Sequence, residues 1–376
     1  MKKLLSGTTA LVAAGLLSSG AYAADPIKLG VSGYFGGGVI MTSQDDGTGE
    51  PGANTRNHRI EREAEVAFKG STTLDNGIKV GVDIQLEAET SGDQIDESFI
   101  WFSGSFGKIQ FGAEDGPAAG LNVGIPKPSN FFWGAASPVF SPIDCGGNGL
   151  GFGAGTSCFI GQYGNYGAFG DQEKITYYTP KMGGAQLGIS YMPENKELGG
   201  GGYTGADADN DAGQQSEAVE IGAKWSGDMG GASVSIGGGY KQGKLEVAAA
   251  GSEDREFWGL GVSVTSGKLS AGIHYTADNN ATSGNNTDRT DWALGVRYAP
   301  GGAWSYGVEY SKSENESGTA GGEDEGEAFV IGGNYNLGGG VSFQAEVQFW
   351  DISDNLNAAA NENDATVFIV GTTIWF

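Results

Sequence analysis

Period-two alternation, in paired runs closed by tight glycine turns, constrains this chain more than any other feature. Val219, Ile221, Ala223 and Trp225 alternate with Glu220, Gly222 and Lys224. After the short stretch SGDMGG, Ala232, Val234 and Ile236 alternate with Ser233, Ser235 and Gly237. The same pattern recurs from Phe257 to Tyr275 around Ser266-Gly267, from Trp292 to Tyr310 around Pro300-Gly301-Gly302, and from Phe329 to Phe349 around Gly338 to Gly340. Side chains of a strand point alternately to opposite faces, so each run predicts a strand with one apolar face. Each pair predicts a β-hairpin.

Between the hairpins lie long polar stretches: Asn195 to Ser216, Asp278 to Asp288, Ser313 to Glu325 and Asp351 to Asn363. Short turns on one side and long acidic loops on the other are the pattern of a barrel in an outer membrane. The final run, Ala365 to Phe376 (ATVFIVGTTIWF), alternates to its last residue. It is expected to pair with the first strand and leave no open edge. Tyr191, Tyr240, Tyr275, Tyr310 and Phe349 recur at one depth, as an aromatic girdle requires. Strand starts are expected near Ile27, Asn57, Ile78, Gln94, Lys108, Glu173, Ala185, Glu217, Ala232, Arg255, Leu269, Arg289, Trp304, Glu327, Val341 and Ala365. The fold class is therefore all-β: a transmembrane antiparallel up-and-down β-barrel of about sixteen strands.

Residues 1–23 read as a cleaved secretory signal, with Lys2 and Lys3, a short apolar run and the small-residue site Ala21-Tyr22-Ala23. Residues 24–376 form the barrel domain, with the outer membrane as the expected location. Taking Lys2 and Lys3 from the 21 basic residues leaves 19 against 46 acidic, a net charge of −27. That excess argues against nucleic acid and favours cations. The 69 glycines lack a collagen period, and neither a helical bundle nor a single soluble core fits the composition. A soluble sandwich or solenoid of glycine-rich repeats is the weaker alternative.

One outer segment, residues 113–171, does not alternate. It holds Pro126, Pro128, Pro138 and Pro142 with Phe131, Phe132 and Trp133. Connections this long are generally functional, and an apolar one sits better against the barrel wall than in solvent. Cys145 and Cys158 both lie here. In an exported chain they read as a disulfide, with two buried thiols as the alternative.

Three further stretches carry a resemblance. SGSFGKIQFG (Ser103 to Gly112) resembles the strand–turn–strand before the constriction loop of Gram-negative general-diffusion porins, and KITYYTPKMGG (Lys174 to Gly184) resembles the hairpin after it. Val66 to Gly70 and the terminal Trp375-Phe376 match as well, and the likeness, to the alphaproteobacterial branch, runs from about Ile27 to Phe376. It implies sixteen-stranded homotrimers whose long third outer loop is folded into the lumen, which makes residues 113–171 the constriction loop. The family sets a basic ladder on the wall against acids on that loop. This chain departs from it: with Phe68 towards lipid, Arg59, Glu61, Glu63 and Glu65 face inward, and Glu65 stands where relatives often place an arginine. Lys79, Asp83 and Glu87 follow on the third strand and Glu97 on the fourth, with Lys174, Lys224 and Arg297 further round. The loop supplies Glu114, Asp115 and Asp144.

Catalysis is not expected. The two histidines, His58 and His274, belong to no nucleophile–base constellation. The expected function is a water-filled channel for ions and small hydrophilic solutes, selective for cations because of the acids on the second strand. A sugar- or dicarboxylate-selective channel and a closed structural or adhesive barrel stay open as alternatives. No cofactor is expected. Outer-membrane lipid and lipopolysaccharide are expected partners, and the acidic loops bearing Asp207, Asp209, Asp211 and Glu323, Asp324, Glu325, Glu327 are candidates for Ca2+ or Mg2+. The other reading of those loops is a solvated surface.

Overall fold

The computed structural model describes residues 25–376 apart from 89–93, 133, 137–142, 146–149, 151–157, 159, 162–168, 196–208, 282–287, 318–321 and 355–357. The signal segment, Trp133, Pro138, Pro142 and Asp207 lie outside the described residues. Sixteen strands follow in order: β1 Gly30–Gln44, β2 His58–Thr73, β3 Lys79–Glu87, β4 Ser98–Gly104, β5 Gly107–Ala113, β6 Glu173–Tyr178, β7 Ala185–Glu194, β8 Gln215–Met229, β9 Ala232–Leu245, β10 Glu256–Ser266, β11 Leu269–Asp278, β12 Arg289–Gly301, β13 Trp304–Ser317, β14 Gly322–Gly338, β15 Val341–Ser353 and β16 Asn363–Trp375. Each pairs antiparallel with its neighbours, and β16 pairs with β1 to close the barrel. At the seam Tyr34 lies opposite Trp375, and Gly33 and Phe376 exchange backbone hydrogen bonds of 2.8 and 3.0 Å. Closure satisfies every strand edge, which a lipid environment demands.

The register sorts side chains onto two faces. One face carries exposed Val31, Phe35, Val39, Ile100, Leu260, Ile273, Val308, Phe368 and Val370, the lipid-facing band of a membrane barrel. The other carries buried polar groups, among them Thr176, Glu220, Lys241, His274, Gln344 and Gln348. What buries them is the segment between β5 and β6. Its first turn, α1 (Pro117–Gly120), is followed by an extended chain that moves along the wall strand by strand. Pro117 meets Gly188 and Gly222, Val123 meets Gly261, Pro126 meets Gly272 and Gly295, Pro128 meets Gly307 and Gly332, and Phe131 meets Gly36. At each of these positions the approach leaves no room for a Cβ, which is why glycines line this face in a row round the barrel.

The path follows the face that carries the buried polar groups, opposite the exposed apolar one. Side chains anchor it there: Asn122 to His274 (2.9 Å), Asn130 N to Asn334 Oδ1 (2.7 Å), Phe131 N to Gln344 Oε1 (2.7 Å) and Ala135 N to Glu309 Oε1 (3.2 Å).

Several boundaries differ from expectation: β1 begins at Gly30 rather than Ile27, β4 at Ser98 rather than Gln94, and β14 at Gly322 rather than Glu327. Ser313 to Glu325, read as an outer loop, is largely strand: β13 runs to Ser317 and β14 begins at Gly322. Above the apolar band both faces of a hairpin are polar, so alternation vanishes while backbone pairing continues. In β8 the register shifts between Ser216 and Val219, with Glu217 at a φ of 45°. β8 thus begins at Gln215, two residues before its expected start, and the bulge re-aims it at Glu217.

Candidate functional site

The described loop follows the wall from β7 to β1, which leaves β2 to β4 facing it. Glu61, Glu63 and Glu65 share one face of β2. Glu63 lies opposite Gly36 and Glu65 opposite Tyr34, the two wall positions that Phe131 of the loop touches. Tyr34 donates a 2.7 Å hydrogen bond to Glu63, and Glu87 lies directly opposite Glu65. Arg59 pairs with Glu61 at 3.2 Å. Lys69, on the same face, pairs with Asp83 at 3.0 Å and donates to Gln85. Nearer the short turns, Trp101 lies across Gly81, and the ammoniums of Lys79 and Lys108 stand 5.6 Å from its ring centre. Lys69 and Lys108 escaped the sequence reading although they have the same strand parity as the residues singled out there.

At the foot of the loop three carboxylates that are distant in sequence converge. Glu97, Asp115 and Asp171 each present an oxygen within 4.8 Å of the others, close enough to hold a divalent cation. Asp115 N donates to Glu97 Oε1 at 3.4 Å, and Gln85 donates to the second oxygen. Burial and then the Asp115 charge push Glu97 up to about 7, and burial with the same neighbour pushes Asp171 up to about 8. Burial also pushes Glu114, beside them, up to about 7.

Lys174 is expected on the open wall but is buried. Its ammonium donates to the carbonyls of Glu114 and Gly170, with Phe169 O at 3.4 Å, so it ties the two feet of the loop together. A single strand's alternation shows which face a residue occupies, not what covers it. Asp144 lies apart from Glu114 and Asp115. Its backbone bonds Gln44 and Asn363 at the far ends of β1 and β16. Lys224 and Arg297 sit near the short turns, and Arg297 donates to Ser305 at 2.7 Å. In the outer hairpin Lys312 pairs with Glu314 at 2.8 Å and Glu325 at 3.1 Å, with Glu327 at 4.0 Å. Glu314 and Glu325, with Glu323, also present oxygens within 4.8 Å of one another in this hairpin, one of the loops offered to a divalent ion.

Cys145 and Cys158 form a disulfide. Both are fully buried in a cluster with Phe131, Phe132, Ile143, Leu150 and Ile160 of the loop and Ile40, Val330, Trp350, Val367 and Ile369 of the wall. Here the inner face of β14 to β1 is apolar, because the loop's apolar half rests on it. Replacing both cysteines with serine removes a cross-link worth about 3 kcal/mol for a short loop and places two hydroxyls in this cluster. The expected result is a noisier open-channel current and a lower melting temperature. Unchanged noise with unchanged melting would show that the cross-link is dispensable for holding the loop.

The sequence model for the Gram-negative porin matches residues 7–355. The chain belongs to the Gram-negative porin family. Its place is therefore the outer membrane, and as a porin it forms a channel rather than an enzyme. The anion-selective porin from Comamonas acidovorans superposes with a TM-score of 0.63 at 18% identity, over 93% of this porin and 100% of that chain. Salmonella typhi OmpF in complex with daunomycin gives 0.62 at 14%, over 93% and 97%. The in-vitro folded trimer form of Vibrio cholerae OmpT gives 0.58 at 15%, over 94% and 100%. At these identities the likeness is one of fold. No curated protein sequence matches this porin.

Proposed function

We propose that this porin is a homotrimeric, water-filled diffusion channel for small hydrophilic solutes that favours cations, with residues 113–171 narrowing its bore. The observation that carries the cation preference is the arc of wall opposite the loop. Glu63, Glu65 and Glu87 stand together there, and the Glu97, Asp115 and Asp171 group flanks them at the loop's foot. A narrow, low-dielectric passage focuses the field of such a patch into the bore. The Comamonas acidovorans protein is anion-selective, so the shared fold leaves the sign of selectivity to the wall residues. Trimerisation is proposed from the trimer form of Vibrio cholerae OmpT, and lipopolysaccharide contact from the acidic outer loops.

A zero-current potential in a KCl gradient tests the sign. The expected preference for K+ over Cl− is a few-fold at about 0.1 M salt, shrinking as the Debye length falls from about 10 Å to 3 Å. Glu63→Gln with Glu65→Gln should halve it or more. A potential of the anion-selective sign would refute the reading. Phe99, Trp101 and Tyr178, with Lys79 and Lys108 beside Trp101, favour a second reading, a channel with a binding site for sugars or dicarboxylates. Current that saturates with such a solute would mark that case.

A further inference from the structure

The charges on the inner wall are sorted along the barrel axis. Lys79 is the first residue of β3 and Lys108 the second of β5, while Arg297 and Lys224 stand four and five residues from the turn ends of β12 and β8. At about 2.5 Å of axial rise per tilted residue, all four lie within roughly 13 Å of the short turns. Among the described residues none of the four makes an ion pair with a carboxylate. Lys69 lies at the same end, but Asp83 neutralises it. Asp228, one residue from the turn end of β8, adds an acid of inward parity at this rim, beside the Asp83 that is paired with Lys69.

The acids lie higher. Glu63, Glu65, Glu87, Glu97, Asp115 and Asp171 are all seven or more residues from a short turn, at or above roughly 17 Å. Basic residues at this height are already engaged: Arg59 with Glu61, Arg255 with Asp278, Arg289 with Asp291, Lys174 beneath the loop, and Lys241, buried in the field of Glu220. Glu309 and Glu346 stand five residues from the turn ends of β13 and β15, as low as Lys224, but they are buried under the loop and in the field of Lys127 rather than facing the bore.

From this sorting we propose that the channel rectifies, passing more current when the side of the long outer loops is positive. This rests on the diffusion-channel reading above. Its specificity-determining residues are Lys79, Lys108, Lys224 and Arg297 acting against the upper acids. Under that polarity cations enter through the acidic half, where they are concentrated, and anions enter through the basic half, where they are. Both species accumulate between the two zones and conductance rises. Under the opposite polarity each ion meets first the zone that excludes it, and the middle is depleted. The preference is a property of fixed charge, so salt must abolish it.

The test is a current–voltage curve on the intact porin, inserted from one side of a planar bilayer, with protease added to each side in turn to establish where the long loops face. At about 0.05 M KCl the expected ratio of currents at opposite voltages is about twofold, falling to unity at about 1 M, where screening acts within ~3 Å. Lys79→Gln with Lys108→Gln should reduce the ratio while the channel still conducts, and Glu63→Gln with Glu65→Gln should reduce it from the other end. Symmetric currents at low salt, or rectification of the opposite sense, would overturn the inference and leave the channel reading intact. No conductance at all would overturn both.

Discussion

Replacing Gly261 with leucine is expected to dislodge the inner loop and raise single-channel conductance about twofold, since flow through a short constriction follows its open area. Val123 O and the His274 ring occupy the space that any side chain at this position would need. The residue belongs to β10, whose backbone is fixed by pairing with β9 and β11, so the loop is the part that yields. Overpacking of this kind costs about 1–3 kcal/mol, less than the closed barrel's collective pairing but enough to unseat one extended segment. The Asn122–His274 hydrogen bond would go with it. Gly37→Ala is the control. Gly37 faces outward on β1, and a Cβ there meets nothing closer than 3.4 Å. Wild-type conductance in a folded Gly261→Leu porin would show that the loop does not set the bore.

The strands were legible because the two faces of a membrane barrel meet different solvents. Lipid selects Val31, Phe35 and Val39 on one side of β1, and the interior selects small or polar residues between them. Where both faces meet water, as in the upper parts of β13 and β14, that contrast disappears and the strand reads as loop. Where both faces are apolar, as in β16, the strand is still legible but nothing in it tells which face turns inward. Val367 and Ile369 on the inner face of β16 are buried by the loop while Phe368 and Val370 are exposed outside. A strand apolar on both faces in a barrel otherwise polar within is itself a sign that something rests on it.

The wall acids followed from parity on a single strand, so Glu61, Glu63 and Glu65 could be placed from Phe68 alone. The loop-foot cluster could not. Glu97, Asp115 and Asp171 come from three segments, and their approach depends on β5 and β6 both being short, so that the loop leaves and rejoins the wall at one height. Glycine carried a signal that composition did not use. Excess glycine alone excludes little, but Gly222, Gly261, Gly295 and Gly332 fall on the inward parity of their strands, at positions that form a track. An inward glycine on strand after strand indicates a backbone that lies against the wall.

Lowering the pH from about 9 to about 6 is expected to remove much of the cation preference, well above the range where ordinary carboxylates titrate. Glu97 near 7, Glu114 near 7 and Asp171 near 8 owe their upward shifts first to burial. For Glu97 and Asp171 repulsion from Asp115 comes next, so these groups titrate as a coupled cluster rather than singly. Protonation of Glu97, Glu114 and Asp171 removes three negative charges from the loop's foot. The same shifts govern stability. A carboxyl whose pKa is raised in the folded state binds its proton more tightly there, so its contribution is fully present below the ordinary carboxylate pKa of about 4 and is lost as pH rises through 7 to 8. Asp171→Asn removes the titrating charge without changing the side chain's shape. It should raise the melting temperature at about pH 9, leave it unchanged at about pH 3, and flatten the selectivity profile between pH 6 and 9. A zero-current potential that stays constant over that interval in the unmodified porin, and begins to move only near pH 4, would mean that the cluster is hydrated and lies outside the ion path.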